Sequence, residues 1–267
     1  SKGITLGDES IQEIISMQED LHEGIGRHRR KMSIGIHNFD VLKPPIKYTT
    51  VPPEFKFIPL GQKEEMDMKE ILSETDVGRE YGSIVSGFSN FPLLMDSLGN
   101  VLSFPPIING ELTRLTPETR NLLIEITATD LKAAEDSLAI IAATLNDMRA
   151  QIESVKVRLG DSIRITPDMN LQQMEVSGKL ANDLLGLKLN DQEISECLER
   201  SRISVASKDG RLMASIPRYR VDIMHQVDLV EEIAYGYGFE RLTPTLPVFK
   251  KAGKYHENLS LIGLARN

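Results

Sequence analysis

The sequence has one cysteine, Cys197, in 267 residues. That excludes an internal disulfide, and no Cys/His cluster has the spacing of a zinc site. Cys197 stands in the helical pattern "EISECLERS", where it reads as a small buried filler. Long apolar runs are missing as well. The stretch "LAIIAATL" (138–145) is far too short to cross a bilayer. No basic-then-apolar leader opens the chain, so the expectation is a reducing, cytoplasmic home with no membrane partner. Basic charge is also scarce, with a net charge of −8. Proteins that wrap nucleic acid indiscriminately are basic, because phosphate contacts supply most non-specific affinity. Any RNA contact must therefore come from a local patch. The best candidate is "GRHRRK" (26–31), with Arg27, Arg29, Arg30 and Lys31; a solvated helix end is the plainer alternative. His22, His28, His37, His225 and His256 are scattered and form no triad pattern with Cys197 or a serine. "GYGFE" (236–240) reads as a helix-ending glycine turn, since no strand–loop–helix context makes it a phosphate loop.

What is present describes an ordinary globular protein of about two domains, with 40% hydrophobic and 26% charged residues. Helical spacing runs over 8–22, and 31–42 alternates like a strand. Prolines keep 44–60 in extended pieces and turns, and a polar helix is expected over 62–75 with Met66, Ile71 and Leu72 inward. "TPET" (116–119) carries a helix-start signal, with Thr116 as N-cap. Asp130 caps a long helix whose apolar seam is Leu131, Ala134, Leu138, Ile141, Leu145, Met148 and Ile152. "LGDS" (159–162) marks a boundary. Two helices (177–187 and 191–201), a hairpin turning at Asp209-Gly210 and a further helix then imply a winged-helix-like module. The expected fold class is α+β: a larger mixed or antiparallel-sheet module with packed helices over 1–158, a small winged-helix-like α+β module over 159–243, and 244–267 as linker and the beginning of a further, truncated domain.

The stretch "VLSFPPIIN" (101–109) holds two adjacent prolines, no charge, and only Ser103 and Asn109 as polar side chains. It closes a hairpin with "FPLLMDS" whose turn is Leu98-Gly99, which pairs Asp96 with Val101, Met95 with Leu102, and Leu94 with Ser103. The strand "LLIEITA" (122–128) then sets Leu123, Glu125 and Thr127 on one face. An apolar, proline-stiffened wall thus stands beside sparse polar groups. Taken singly, Ser103 and Thr127 are ordinary strand residues, Asn109 a turn former and Leu94 a core residue.

Asp222, Asp228, Glu231 and Glu232 lie within eleven residues, with Asp228 stacked under Glu231 and Glu232 on a helix starting near Gln226. Converging carboxylates need a counter-charge, and a hard cation such as Mg²⁺ takes oxygen ligands. An acid-rich helix start favoured by the macrodipole is the other reading, and spacing alone favours it.

Two long stretches resemble one known family in the right order. "RRKMSIGIHNFDVLKPPIKYTTVPPEFKFIPL" and "PLLMDSLGNVLSFPPIINGELTRLTPETRNLLIEITATDL" resemble the editing module of phenylalanyl-tRNA synthetase β subunits of archaeal and eukaryotic type. "IPRYRVDIMHQVDLVEEIAYGYGFERLTPTLP" resembles the module that follows it, and the likeness covers roughly residues 20–250. The resemblance implies an editing pocket on Leu94, Ser103, Asn109, Glu125 and Thr127, and magnesium-associated acids at Asp222, Asp228, Glu231 and Glu232. Where the family pattern admits Asp in the pocket strand, this chain has Glu125, whose longer side chain changes its reach. The family's aminoacylating site lies on the α subunit, its partner in an ATP-binding heterotetramer, so a chain of this extent is expected not to charge tRNA alone.

Phenylalanine and tyrosine differ by one hydroxyl, and an apolar pocket rejects an added hydroxyl by only ~100-fold, roughly 2.7 kcal/mol. A second site that hydrolyses mischarged Tyr-tRNA(Phe) must therefore welcome that hydroxyl. Leu94, Pro105, Pro106 and Ile107 are expected to hold the ring. Ser103, Asn109, Glu125 or Thr127 would satisfy its polar groups, with Glu125 on the hydroxyl or on the α-amino group. The attacking water is expected on Asn109, Thr127 and the substrate's terminal ribose hydroxyl. A non-catalytic scaffold for RNA binding or subunit assembly is the competing expectation.

Overall fold

The structure, a computed structural model, describes residues 5–208, 210–244, 246, 253 and 256–266. It is a mixed α+β fold with several antiparallel sheets. Helix α1 (Asp8–Glu23) starts with Asp8 and Glu9, charges that complement the N-terminal end of its dipole. Strand β1 (Met32–Asn38) follows, buried on both faces. Next come β2 (Lys47–Val51), β3 (Lys56–Phe57), β4 (Met66–Asp67), α2 (Met68–Glu74), α3 (Asp76–Tyr81), β5 (Phe91–Met95), β6 (Val101–Phe104), β7 (Ile108–Asn109), β8 (Leu122–Ala128) and α4 (Leu131–Asp147).

β1 pairs antiparallel with β8 in a register that sets Ser33 opposite Thr127, Gly35 opposite Glu125 and His37 opposite Leu123. Opposed residues share a face. One face of this ribbon, with Ile34, Ile36, Ile124 and Ile126, closes on α1 and α4 through Ile14, Leu21, Ile141 and Leu145. The other carries the polar residues toward a four-stranded sheet of order β2-β5-β6-β7. That sheet packs Phe91, Leu93, Phe104 and Ile107 on Met68 and Ile71 of α2, with Phe91 and Phe104 edge to face at 5.5 Å.

Several local expectations change. Leu94 does face Ser103, but a bulge sets Met95 opposite Val101. Asp96 leaves the ladder, because its Oδ1 accepts from the N–H groups of Leu98 and Asn100 at 2.9 Å each, and such local side-chain bonds compete with strand pairing. The helix expected over 62–75 begins only at Met68, where Asp67 and Glu70 form a capping box, and Met68 takes a fully buried inner position. "TPET" forms one turn, not a helix. The Thr119 N–H reaches Thr116 O at 3.0 Å, and the N–H of Arg120 donates to Asp40 Oδ2 at 2.7 Å as the chain is drawn into β8. Asp130 caps α4 as expected, accepting from the Ala133 N–H. The expected seam holds at its later positions, where Ile141 and Leu145 are fully buried and Met148 and Ile152 pack on the core, but at its start Leu131 is exposed and Ala133 and Ser137 are buried instead.

Beyond α4, β9 (Val155–Leu159) and β10 (Ser162–Thr166) form a hairpin that the sequence reading does not contain, and residues 159–162 are its tip. β11 (Gln172–Val176), also unforeseen, leads to α5 (Gly178–Leu185), α6 (Asp191–Arg200), β12 (Ser204–Lys208), β13 (Arg211–Ile216) and α7 (Gln226–Tyr237). The three strands make a sheet of order β11-β13-β12. Ile194, Leu198, Ile216, Leu229 and Ile233 form its core against the helices, the winged-helix-like layout expected. Cys197 is buried in that core, and burial pushes its thiol up. Asp209 of the expected turn lies outside the described residues. So does much of 244–267, of which 256–266 include α8 (Glu257–Arg266). Arg218, after β13, joins the two halves of the chain: its Nη1 meets Asp136 Oδ1 of α4 at 2.6 Å, and both side chains are largely buried. Among the described residues no helix is long and apolar enough to cross a membrane.

Candidate active site

The polar face of the β1–β8 ribbon meets the edge of the four-stranded sheet at Glu125. Ser103 Oγ, on β6, donates to Glu125 Oε1 at 2.8 Å. Below them lies Gly35. A Cβ there would stand 2.5 Å from both Glu125 Oε1 and His37 Nε2, so only glycine leaves room for the two groups. His37 is fully buried, with Nδ1 2.9 Å from Thr113 Oγ1 and Nε2 3.8 Å from Glu125 Oε1. Glu125 Oε2 and His37 Nε2 are buried and have no hydrogen-bond partner among the described residues. Unpaired buried polar atoms of this kind are rare and costly. The Tyr48 hydroxyl, on β2, is pushed up by desolvation and by the charge of Glu125.

A cavity of about 440 Å³ opens beside this pair. Pro105, Pro106 and Ile107 form one wall, Asn109 and Thr113 flank it, and Ser33, Ser103 and Glu125 supply polar groups at the ribbon. The Asn109 side-chain amide has no partner among the described residues, while its backbone is held in the ladder opposite Ser103. Proline cannot donate to a ladder, so the wall does not collapse into strand pairing.

Arg29 braces that wall. Its Nη1 donates to Pro106 O at 3.2 Å and Ile107 O at 3.0 Å, and its Nη2 meets both oxygens of Glu19 at 3.1 and 3.0 Å. The guanidinium also lies 4.3 Å from the centre of the Tyr81 ring. Burial alone would raise the Glu19 carboxyl, but His22 and Arg29 together hold it down at about 2. His22 Nε2 accepts from the Ile34 N–H at 2.8 Å, which fixes α1 to β1. Arg27, His28 and Arg29 all adopt left-handed backbone, with φ of 51°, 54° and 59°. For side chains other than glycine this costs about 1–2 kcal/mol per residue.

Of the residues singled out from sequence, Ser103, Pro105, Pro106, Ile107, Asn109 and Glu125 line this cavity together. Leu94 and Thr127 do not. Leu94 packs with Leu42 and Leu102 in a small separate cluster. Thr127 sits one step behind, its Oγ1 2.9 Å from Ser33 Oγ, and Ser33 is the hydroxyl at the lining. Sequence reasoning missed Arg29 as a wall brace, and His37 and Ser33 altogether. The spacing Ser33-Gly35-His37 on one strand face carried a signal, but pairing β1 with β8 needs the register.

The acids of the second module are arranged differently. Arg220 Nη2 lies 2.6 Å from both Asp222 Oδ2 and Glu232 Oε1, so the counter-charge their convergence requires comes from within the chain. Asp222 is held low first by its hydrogen bond with Arg220. Asp228 Oδ2 accepts from the N–H groups of Met224 and His225 at 2.8 and 2.7 Å, which depress its carboxyl. Glu231 is exposed. Among the described residues no group of three or more His, Cys, Asp or Glu side chains forms a metal site, and these four do not make an oxygen cage for Mg²⁺.

Comparisons with known proteins bear on the whole arrangement. Residues 174–239 match the tRNA synthetase B5 domain family. The chain is similar to an N-terminal fragment of the phenylalanyl-tRNA synthetase β-subunit from Pyrococcus horikoshii, with a TM-score of 0.85 and 40% identity, covering 88% of this chain and 68% of that one. The chain belongs to the phenylalanyl-tRNA synthetase β-subunit family. Phenylalanine–tRNA ligase β subunits from Archaeoglobus fulgidus and Methanococcoides burtonii are 42% and 41% identical to it over 99% and 96% of its length. It spans about half of those relatives, 48% of each. Within this β-subunit family member, the B5 match covers the module with the acids, and the cavity lies outside it.

Proposed function

We propose that this β-subunit chain hydrolyses the ester of tyrosine mischarged onto tRNA(Phe), a post-transfer editing step in phenylalanine–tRNA ligation. One observation carries the reading. Beside an apolar cavity, Glu125 accepts from Ser103 and keeps its second oxygen without a partner among the described residues. A phenol hydroxyl entering there gains an acceptor, whereas phenylalanine leaves that acceptor unpaired. Such a difference is worth about 1–3 kcal/mol.

In this reading the ring lies against Pro105, Pro106 and Ile107, and Glu125 with Ser103 receives the hydroxyl. Asn109 holds the water or the carbonyl oxygen of the ester. The water oxygen bonds to the carbonyl carbon, the bond to the ribose oxygen breaks, and the ribose oxygen leaves with a proton taken from the water. Positioning and donors at the developing oxyanion supply the acceleration. Ser33 replaces Thr127 as the hydroxyl nearest the cavity, with Thr127 orienting it. No step involves Mg²⁺. The α subunit, which carries the aminoacylating site in this family, and tRNA(Phe) are the proposed partners, and the cytoplasm the proposed setting.

The test is calorimetry with free tyrosine and phenylalanine, joined to hydrolysis of tyrosyl-tRNA(Phe). Tyrosine should bind about tenfold more tightly or better, and Glu125→Gln should erase the preference. Asn109→Ala should slow ester loss while leaving the preference intact. Equal binding of both amino acids, with ester loss no faster than in buffer, would leave the scaffold reading in its place.

A further inference from the structure

The turn from residue 24 to 31, between α1 and β1, is strained where an ordinary turn would use glycine. Arg27, His28 and Arg29 stand in left-handed backbone one after another. Arg29 points inward and braces the cavity wall. Its neighbours Arg27, His28, Arg30 and Lys31 are exposed. His28 pairs with Glu23, and Lys31 with Asp130. Arg27 and Arg30 have no anionic partner among the described residues. Arg29, between them, lines the cavity, so in a chain of net charge −8 two guanidiniums without an anionic partner flank a residue of the cavity wall.

We propose that this turn clamps the phosphates of a single-stranded RNA 3′ end, with Arg27 and Arg30 as the contacts. The proposal rests on the reading of the cavity as an aminoacyl-ester site. An RNA whose terminal ester enters the cavity carries its preceding phosphates across the rim, and guanidinium suits phosphate oxygens in geometry and charge. The strain has a consequence of its own: the same short segment turns one arginine in to the wall and two out to solvent. Lys156 and Arg158, on the exposed β9–β10 hairpin, are the competing basic pair, but no residue of that hairpin lines the cavity, whereas Arg29 of the turn does.

The experiment measures binding of the full chain to a short, fluorescently labelled single-stranded RNA ending in CCA, by anisotropy across a salt series. Arg27→Gln/Arg30→Gln should weaken binding about tenfold at moderate salt. It should also lower the slope of log affinity against log salt by about 1.4, two contacts at ~0.7 each for single strands. Arg27→Gly should raise the melting temperature, by relieving a left-handed residue, while still weakening RNA binding. Free tyrosine carries no phosphate, so its calorimetric affinity should be the same in all three proteins. Unchanged RNA affinity and slope in both variants would overturn the clamp. So would a slope lost instead on Lys156→Gln/Arg158→Gln, or tyrosine binding lost with the outward arginines. If the unaltered chain binds tyrosine and phenylalanine equally, the cavity reading fails while the RNA measurement still decides the clamp.

Discussion

Two sets of carboxylates on this chain are satisfied in opposite ways. Around Arg220, Asp222 and Glu232 share one guanidinium, and Asp228 accepts two backbone N–H groups nearby. At the β1–β8 ribbon, Glu125 has, among the described residues, one donor, Ser103, and an oxygen without a partner beside an apolar cavity. The first set is complete within the chain and holds a helix start in place. The second has acceptor capacity left over where a guest can enter. Density of acids is thus a poor guide to a site; what matters is whether their partners are already present.

The largest effect that sharpens this contrast lies next to the cavity. Arg29→Met removes the donors to Pro106 and Ile107 and leaves Glu19 with only Gln18 and His22 as partners. It should cost about 2–3 kcal/mol in urea unfolding, below the full value of a buried pair because Glu19 is half exposed. The Glu19 carboxyl is depressed from 4.5 to about 2, so its contribution is complete above about pH 4.5 and is lost as pH falls through about 2. The gap between the unaltered chain and the variant should therefore narrow with acid. A gap independent of pH would show that the ion pair is not what the variant loses.

Next in size, Gly35→Ala puts a methyl group where Glu125 Oε1 and His37 Nε2 stand. It should cost about 1–2 kcal/mol and erase the preference for tyrosine, read by calorimetry. Retained preference would move the reading end of the cavity away from Glu125. The smallest effect belongs to the other set. Asp228→Ala should lower the melting temperature by about two degrees, through the lost cap, equally with and without millimolar Mg²⁺. A rise with Mg²⁺ that Asp228→Ala abolishes would make the acid cluster a metal site after all, and would break the comparison.

Much of this was legible from local pattern. The strand 122–128, the cap at Asp130, the opposition of Leu94 and Ser103, and the proline wall all follow from side-chain periodicity and turn chemistry. What failed did so where a distant partner competes with local preference. The "TPET" signal yields to β8, which is held by β1 across some ninety residues of sequence. Leu131 is exposed because the side of α4 that turns inward is set by β8 and α1. The roles of Arg29 and His37 at the cavity were hidden for the same reason: their partners, Ile107 and Thr113, are more than seventy positions away. The β9–β10 hairpin has every residue of β9 exposed, so no buried face marked it.

The tie between Arg218 and Asp136 has a bearing on how this chain can be handled. It grips α4 from the far module, and α4 packs on the same ribbon that carries Glu125. Cutting the chain at the β9–β10 tip would give two pieces, each with a core of its own. One of them would then expose Asp136, still beside Lys132, and the other Arg218, so each would carry to its surface a charge that the whole chain keeps largely buried.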